Sequence, residues 1–289
     1  MPNNTPLVSV CIPAYKELYL KVAISSALAQ TYQNIEVLVS DDSPSNAVKQ
    51  ICKEFGSNLS YLYNTSRWGL GLGNMLNLLS HAKGEYIKFL FDDDILHPFC
   101  VQTLVGLAES PNKPSLAVSV RQIVDANGSP LEILNPLGIS QDVIIEGREI
   151  IRILGSFMEN VIGEPTTALF RRENLIHLGA PSLHPSLGIE PWLALIDVAM
   201  WLHLAQQGSV AIHAQPLSYI RRHESSNSNP DYNPNFAHCL TDWERVRQLA
   251  LDLGCLNDDE KINSLNKIKG YYLKWGGRYP ELLARANTL

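Results

Sequence analysis

Apolar positions in the first 110 residues alternate between two spacings. Residues 7–12, LVSVCI, form a β-branched run closed by Pro13, and Leu18 to Gln30 then places apolar residues at helical intervals. The order strand, loop, helix returns at IEVLVS (35–40), which ends in Asp41-Asp42-Ser43-Pro44, with Ser43 placed to cap a helix running to about Phe55. A third strand is expected at LSYLYN (59–64), a helix over 72–82, and a fourth strand at YIKFLF (86–91). A helix from Pro98 to about Glu109 completes this half.

Beyond it, LAVSVRQIVDANGSPLEIL (116–134) reads as a hairpin turning at Ala126-Asn127-Gly128. Further elements are a helix near 147–155, a strand near TTALFRR (166–172), a helix near 190–207 and a strand near VAIHAQPLSYIRR (210–222). Residues 223–235, HESSNSNPDYNPN, are polar and rich in Asn, Ser and Pro, so a mobile loop is expected. Residues 236–289 read as two or three amphipathic helices. Strands alternating with helices predict an α/β fold: a mainly parallel, Rossmann-like sheet flanked by helices, with a C-terminal helical extension.

At 289 residues, 45% hydrophobic and 18% charged, the chain can bury a large core. A net charge of −6 argues against a general nucleic-acid binder, which needs a basic face. The five cysteines are scattered without a CxxC pair, so neither a disulfide framework nor a zinc site is suggested. No basic region precedes the first apolar segment, and no stretch of 18 apolar residues occurs; a cytoplasmic location is expected, compatible with peripheral contact at the inner face of the membrane.

The candidate chemistry lies where strands end. In open parallel sheets, ligands bind beyond the carboxyl ends of the strands. Pro13 to Glu17, Asp41-Asp42, Asn64 to Trp68 and Asp92-Asp93-Asp94 should therefore line one edge. Three adjacent aspartates repel one another, so such a triplet is either solvated or holds a cation. Mg²⁺ or Mn²⁺ suits oxygen ligands and commonly shares its shell with substrate phosphates.

VSVCIPAYKE, QTYQNIEVLVSDDS, GEYIKFLFDDDIL, ALFRRENL and LSYIRRHESSNS, in this order over most of residues 7–228, resemble glycosyltransferase family 2, the inverting, nucleotide-sugar-dependent enzymes of the A-type fold. The resemblance implies a catalytic domain over 1–235, its nucleotide-binding half about 1–110 and its acceptor half about 111–235, followed by a helical extension over 236–289. It implies that Asp94 coordinates the metal, Mn²⁺ or Mg²⁺, and that Asp92 or Asp93 holds the ribose or assists the metal. His223, after Arg221-Arg222, would complete the metal shell. Pro13, Ala14 and Tyr15 would form the nucleobase pocket, Glu17 would reach base or ribose, and Asp41 or Asp42 would accept from the base.

By the same resemblance Asp197, in IDVAMWLHLAQQG, is the general base that takes the acceptor proton, with Glu190 as understudy; Ile196 stands where the family usually has Glu. Arg221 or Arg222 would neutralise diphosphate charge. A basic residue often precedes the Asn matched by Asn74, but Gly73 stands there, and Arg67 is the candidate substitute. The donor implied is a UDP-sugar, with dTDP and GDP as alternatives, and the acceptor a glycan or glycolipid hydroxyl. A homodimer is compatible. The contrasting reading is a catalytically degenerate nucleotide-sugar-binding scaffold, motivated by Ile196 and Gly73; phosphoryl or nucleotidyl transfer would share the metal without requiring Asp197.

Overall fold

Every residue of Val8–Ala14 (β1) except Pro13 is buried, as expected of a strand covered on both faces. The computed structural model describes residues 5–65, 71–176, 194–223, 233 and 235–289. Arg67, Glu190 and most of the expected loop over 223–235 lie outside the described residues.

β1 pairs in parallel with Ile35–Asp41 (β2) and with Tyr86–Phe89 (β4), and β2 pairs in parallel with Ser60–Tyr63 (β3). The helices Leu20–Leu28 (α1), Ala47–Glu54 (α2) and Leu72–His81 (α3) make the crossovers. Period-two alternation divides the core. Val10 and Ile12 of β1 join α1, α2 and Cys100–Ala108 (α4) on one face, whereas Cys11 joins α3 on the other.

The second half departs from a parallel sheet. Ala168–Arg171 (β9) is antiparallel to both β4 and Leu116–Val124 (β6), so it joins the two halves edge to edge. The long strand Val210–Arg221 (β10) runs parallel to β6 and is itself flanked by the two-residue Ile95–Leu96 (β5) and by Val143–Ile145 (β8). The expected hairpin is present: β6 pairs with Pro130–Leu134 (β7), and Gly128, at φ +89°, supplies the left-handed turn residue. The mainly parallel sheet expected from the sequence is thus parallel in its first half and mixed in its second.

Gly147–Phe157 (α5), the single-turn Glu173–Ile176 (α6) and Ile196–Gln207 (α7) cover the second face. Phe236–Asp252 (α8), Asp258–Trp275 (α9) and Pro280–Ala286 (α10) bury Val246, Leu249, Ile268, Tyr272 and Leu282 in the apolar cluster that contains Ile150 and Leu154 of α5. Asn257 and Glu260 form a reciprocal capping box at the start of α9. No helix among the described residues is long and apolar enough to cross a membrane.

One local expectation is corrected. Ser43 does not cap α2: its N–H donates to Asp41 Oδ1 at 2.9 Å and its hydroxyl donates to Ser45 O at 3.1 Å. The helix begins only at Ala47, because Asp41 to Pro44 first closes a local Asx-type turn.

Candidate active site

The ends of β1 and β2 are fixed from beneath. Buried Asn74, on α3, donates from Nδ2 to Ser40 O at 2.8 Å and to Ala14 O at 3.3 Å, so it joins the two strand ends rather than facing outward. Asp41 is 1% exposed and uses both oxygens internally, accepting from Ser43 N and from the Tyr61 hydroxyl. Asp42 follows, also buried, with its N–H on Ala14 O. Pro13 is half-buried, whereas Tyr15 and Glu17 are exposed on the loop between β1 and α1.

The three aspartates after β4 point to three different partners. Asp92 Oδ2 accepts from the backbone N–H groups of Tyr15 and Lys16 at 2.8 and 2.7 Å, tying the β1–α1 loop to the triplet. Desolvation raises its carboxyl to about 6 despite those two donors, with the Asp93 charge adding to the rise. Asp93 Oδ2 lies 3.0 Å from His223 Nε2. Asp94 is 3% exposed; its Oδ2 accepts from the Thr166 hydroxyl at 2.6 Å and its Oδ1 from Arg221 N at 3.0 Å. Burial first, then Asp93, pushes the Asp94 carboxyl well above the ordinary range.

β10 delivers Arg221 and His223 to this loop. The Arg221 guanidinium donates to the carbonyls of Asp93, Asp125 and Ala126 and stacks on Tyr19 at 4.3 Å, so it organises the loop through main-chain oxygens. The Tyr19 ring also packs 5.7 Å from that of His223. Arg222 turns outward to Glu132 on β7 at 3.0 Å.

Asp197 stands in the first turn of α7. Its Oδ2 accepts from Asn160 Nδ2 at 2.7 Å and its Oδ1 from Val198 N at 2.8 Å. Desolvation lifts its carboxyl to about 6, with the charge of Glu164 adding and that of Arg121 opposing. Asn160 and Thr166 belong to one segment that runs between α5 and β9, so a single stretch of chain touches both Asp197 and Asp94.

The family model for glycosyl transferase family 2 matches residues 9–179, more than half of the chain. The chain belongs to glycosyltransferase family 2. An uncharacterised glycosyltransferase of Rickettsia typhi is 33% identical over 141 residues, covering 47% of this chain and 43% of its own length. The chain therefore spans less than half of that relative, and 22% of a Rickettsia felis relative that is 35% identical over 45% of this chain. The glycosyltransferase GlyG of Streptococcus pneumoniae is 33% identical over 234 residues, 74% of this chain and 76% of GlyG. Among solved structures, Staphylococcus aureus TarS in complex with UDP aligns over 93% of this chain and 72% of that one, with a TM-score of 0.60 and 14% identity. A TarS structure in complex with UDP-GlcNAc aligns with a TM-score of 0.58, at 16% identity over 91% of this chain and 80% of that one. At such identities the likeness concerns the fold, the A-type fold of the family.

Divalent metals are common in glycosyltransferase family 2. Among the described residues no three His, Cys, Asp or Glu side chains converge into a ready-made cluster. What the site offers is a carboxylate and an imidazole 3.0 Å apart, beside two carboxylates whose ionisation is costly. That donor set suits Mn²⁺ or Mg²⁺ when phosphate oxygens complete the shell. His223 reaches Asp93, not the Asp94 and Asp92 expected as its co-ligands.

Tyr19, Asn160, Glu164, Thr166 and Arg121 are the site residues that sequence reading misses. Thr166 carries one signal: it lies two residues before the ALFRR strand, on the chain entering the sheet beside β4.

Proposed function

We propose that this chain transfers a sugar, with inversion, from a nucleotide diphosphate sugar to the hydroxyl of a glycan or glycolipid. The carrying observation is that one segment, residues 160–166, hydrogen-bonds at its two ends to the two acidic centres such a displacement needs. UDP is the nucleotide named first because the similar TarS fold was solved with UDP and with UDP-GlcNAc.

In this reading the first half, about 1–110, binds the nucleotide. Tyr15 and Pro13 face the base, with Glu17 reaching base or ribose. Asp42 rather than Asp41 accepts from the base, because Asp41 is committed to Ser43 and Tyr61. Asp92 holds the loop that carries Tyr15. Asp93 and His223 would hold the divalent cation, whose charge offsets that of the diphosphate and eases departure of the nucleotide. Asp94, anchored by Thr166 and the Arg221 N–H, fixes the direction of Asp93.

Asp197 removes the acceptor proton as the acceptor oxygen attacks from the face opposite the nucleotide. A carboxyl at about 6 suits this work, being ionised at neutral pH yet more basic than an ordinary aspartate. Asn160 fixes the orientation of the carboxylate through Oδ2. The scaffold reading has no use for a buried, oriented, weakly acidic carboxyl, and phosphoryl transfer has no use for one opposite the nucleotide.

The test is nucleotide release from UDP-glucose, UDP-galactose, UDP-GlcNAc, GDP-mannose and dTDP-glucose with Mn²⁺, with simple glycosides as acceptors. At least one donor should be consumed by the wild type and not by Asp197→Asn. If none is consumed or bound, the reading fails.

A further inference from the structure

Between Asn160 and Thr166 lies a third functional side chain. Gly163, at φ +106°, lets the chain turn tightly against Arg121: a Cβ there would meet Arg121 Nη1 at 2.9 Å and Thr167 Cγ2 at 3.0 Å. The turn is fixed from several sides. Asn160 Oδ1 accepts from Gly163 N at 2.9 Å, and Gly163 O accepts from Asn160 Nδ2 at 3.0 Å and from Trp201 Nε1 at 2.9 Å. The residue delivered next is Glu164.

Glu164 Oε2 lies 2.8 Å from Nε of Arg121, whose side chain is 8% exposed and which projects from the middle of β6. Oε2 is itself buried, yet the Glu164 side chain keeps 36% of its surface exposed. Among the described residues no hydrogen bond reaches Oε1. Arg121 and Glu164 meet as an ion pair, with Oε2 facing Nε but outside hydrogen-bond geometry, and this leaves Oε1 of the carboxylate as an acceptor. Its charge is felt at both Asp94 and Asp197. Glu164 belongs to the stretch between Asn160, which binds Asp197, and Thr166, which binds Asp94, and so to the chain that joins the two centres assigned above.

We propose that Glu164, held by Arg121, accepts a hydrogen bond from a ring hydroxyl of the transferred sugar and so contributes to the choice of donor. The proposal rests on the donor and base assignments above. A hydroxyl donating to an ionised carboxylate is recognised more strongly than one meeting a neutral acceptor, so the contact accounts for about a tenfold difference in affinity.

The experiment is calorimetric titration of UDP, UDP-glucose, UDP-galactose and UDP-GlcNAc, each with Mn²⁺, into wild type, Glu164→Gln and Glu164→Asp. The preferred UDP-sugar should bind the wild type more tightly than UDP does. Glu164→Gln should lose about tenfold of that advantage, with UDP binding unchanged within about twofold, and Glu164→Asp should recover part of it. Unchanged UDP binding also shows that the variant is folded. A second readout is the acidic limb of the rate of UDP release with water as acceptor. Removing the Glu164 charge should move that limb to lower pH, because Arg121 then acts on Asp197 unopposed; among the described residues Cys239 and Asp242, both on α8, are further titratable groups packed near Asp197. If Glu164→Gln keeps the full UDP-sugar preference, the proposal is overturned while the donor site stands. If the wild type binds none of the four ligands, the donor reading fails and this proposal with it.

Discussion

Thr166 donates its hydroxyl proton to Asp94 Oδ2 at 2.6 Å, joining the segment that holds Asp197 to the acidic triplet at the end of β4. The bond matters because Asp94 is nearly inaccessible and has no bulk water to replace a lost donor. Lys88, fully buried on β4, supports the same point from below: its ammonium donates to Thr166 O, and burial holds its pKa below the usual lysine range.

Thr166→Val should therefore destabilise the fold by about 1–3 kcal/mol, the range for stranding a buried polar partner. Urea denaturation at pH 7 measures this. A change within about 0.5 kcal/mol would mean that Asp94 is already neutral and does not need the hydroxyl.

Asp197→Asn should lower turnover by about 10²–10⁴-fold while leaving UDP affinity within about twofold, since only proton removal is lost. In the wild type the rate should fall below pH 6 with a slope of one proton, because Asp197, raised to about 6, is then protonated and unable to act as base. A pH profile flat between 7 and 5 would assign the base elsewhere.

Without metal, the pH dependence of stability has a definite sign. Asp92 and Asp197, both raised from 3.8 to about 6, bind more protons in the folded state than in the unfolded state between pH 4 and 6. Unfolding free energy therefore rises as pH falls through 6 and levels off near 4, before other carboxylates begin to protonate. Thermal denaturation in EDTA should give a higher Tm at pH 5 than at pH 7, and Mn²⁺ at pH 7 should raise Tm through Asp93 and His223. The opposite ordering in EDTA would show these carboxyls to be better solvated than the structure implies.

Gly163→Ala should cost about 1–3 kcal/mol, since it forces an L-residue into a left-handed conformation with its Cβ 2.9 Å from the Arg121 guanidinium. Activity should fall further than stability, because the turn sets Asn160 and Glu164 together. Comparing Tm with UDP release at 20 °C separates the two effects.

The alternation of the first half was legible because β1 and β2 are β-branched runs, β3 and β4 short runs rich in aromatics, and helical apolar spacing separates them, a local pattern with one consistent solution. β9 was legible as a strand but not in its placement: four residues, ALFR, cannot reveal that they pair antiparallel on both sides. The two-residue β5 carries no period at all. In the site, the triplet could be found from its place at a strand end and His223 only through the family resemblance; the structure puts His223 3.0 Å from Asp93. The directions of the individual aspartates could not be found, because three consecutive residues on irregular backbone are aimed by Tyr15, Lys16, His223, Thr166 and Arg221, which lie far away in sequence. Asn160, Glu164 and Arg121 left no local signal, since each matters through a partner on another element.

The central claim is a metal-assisted nucleotide site on Asp93 and His223, and titration of UDP with and without Mn²⁺ into wild type, Asp93→Ala and His223→Ala tests it most directly. UDP should bind the wild type at least about tenfold more tightly with Mn²⁺, and both variants should lose that gain. UDP binding that is indifferent to Mn²⁺ and to both substitutions would contradict the account.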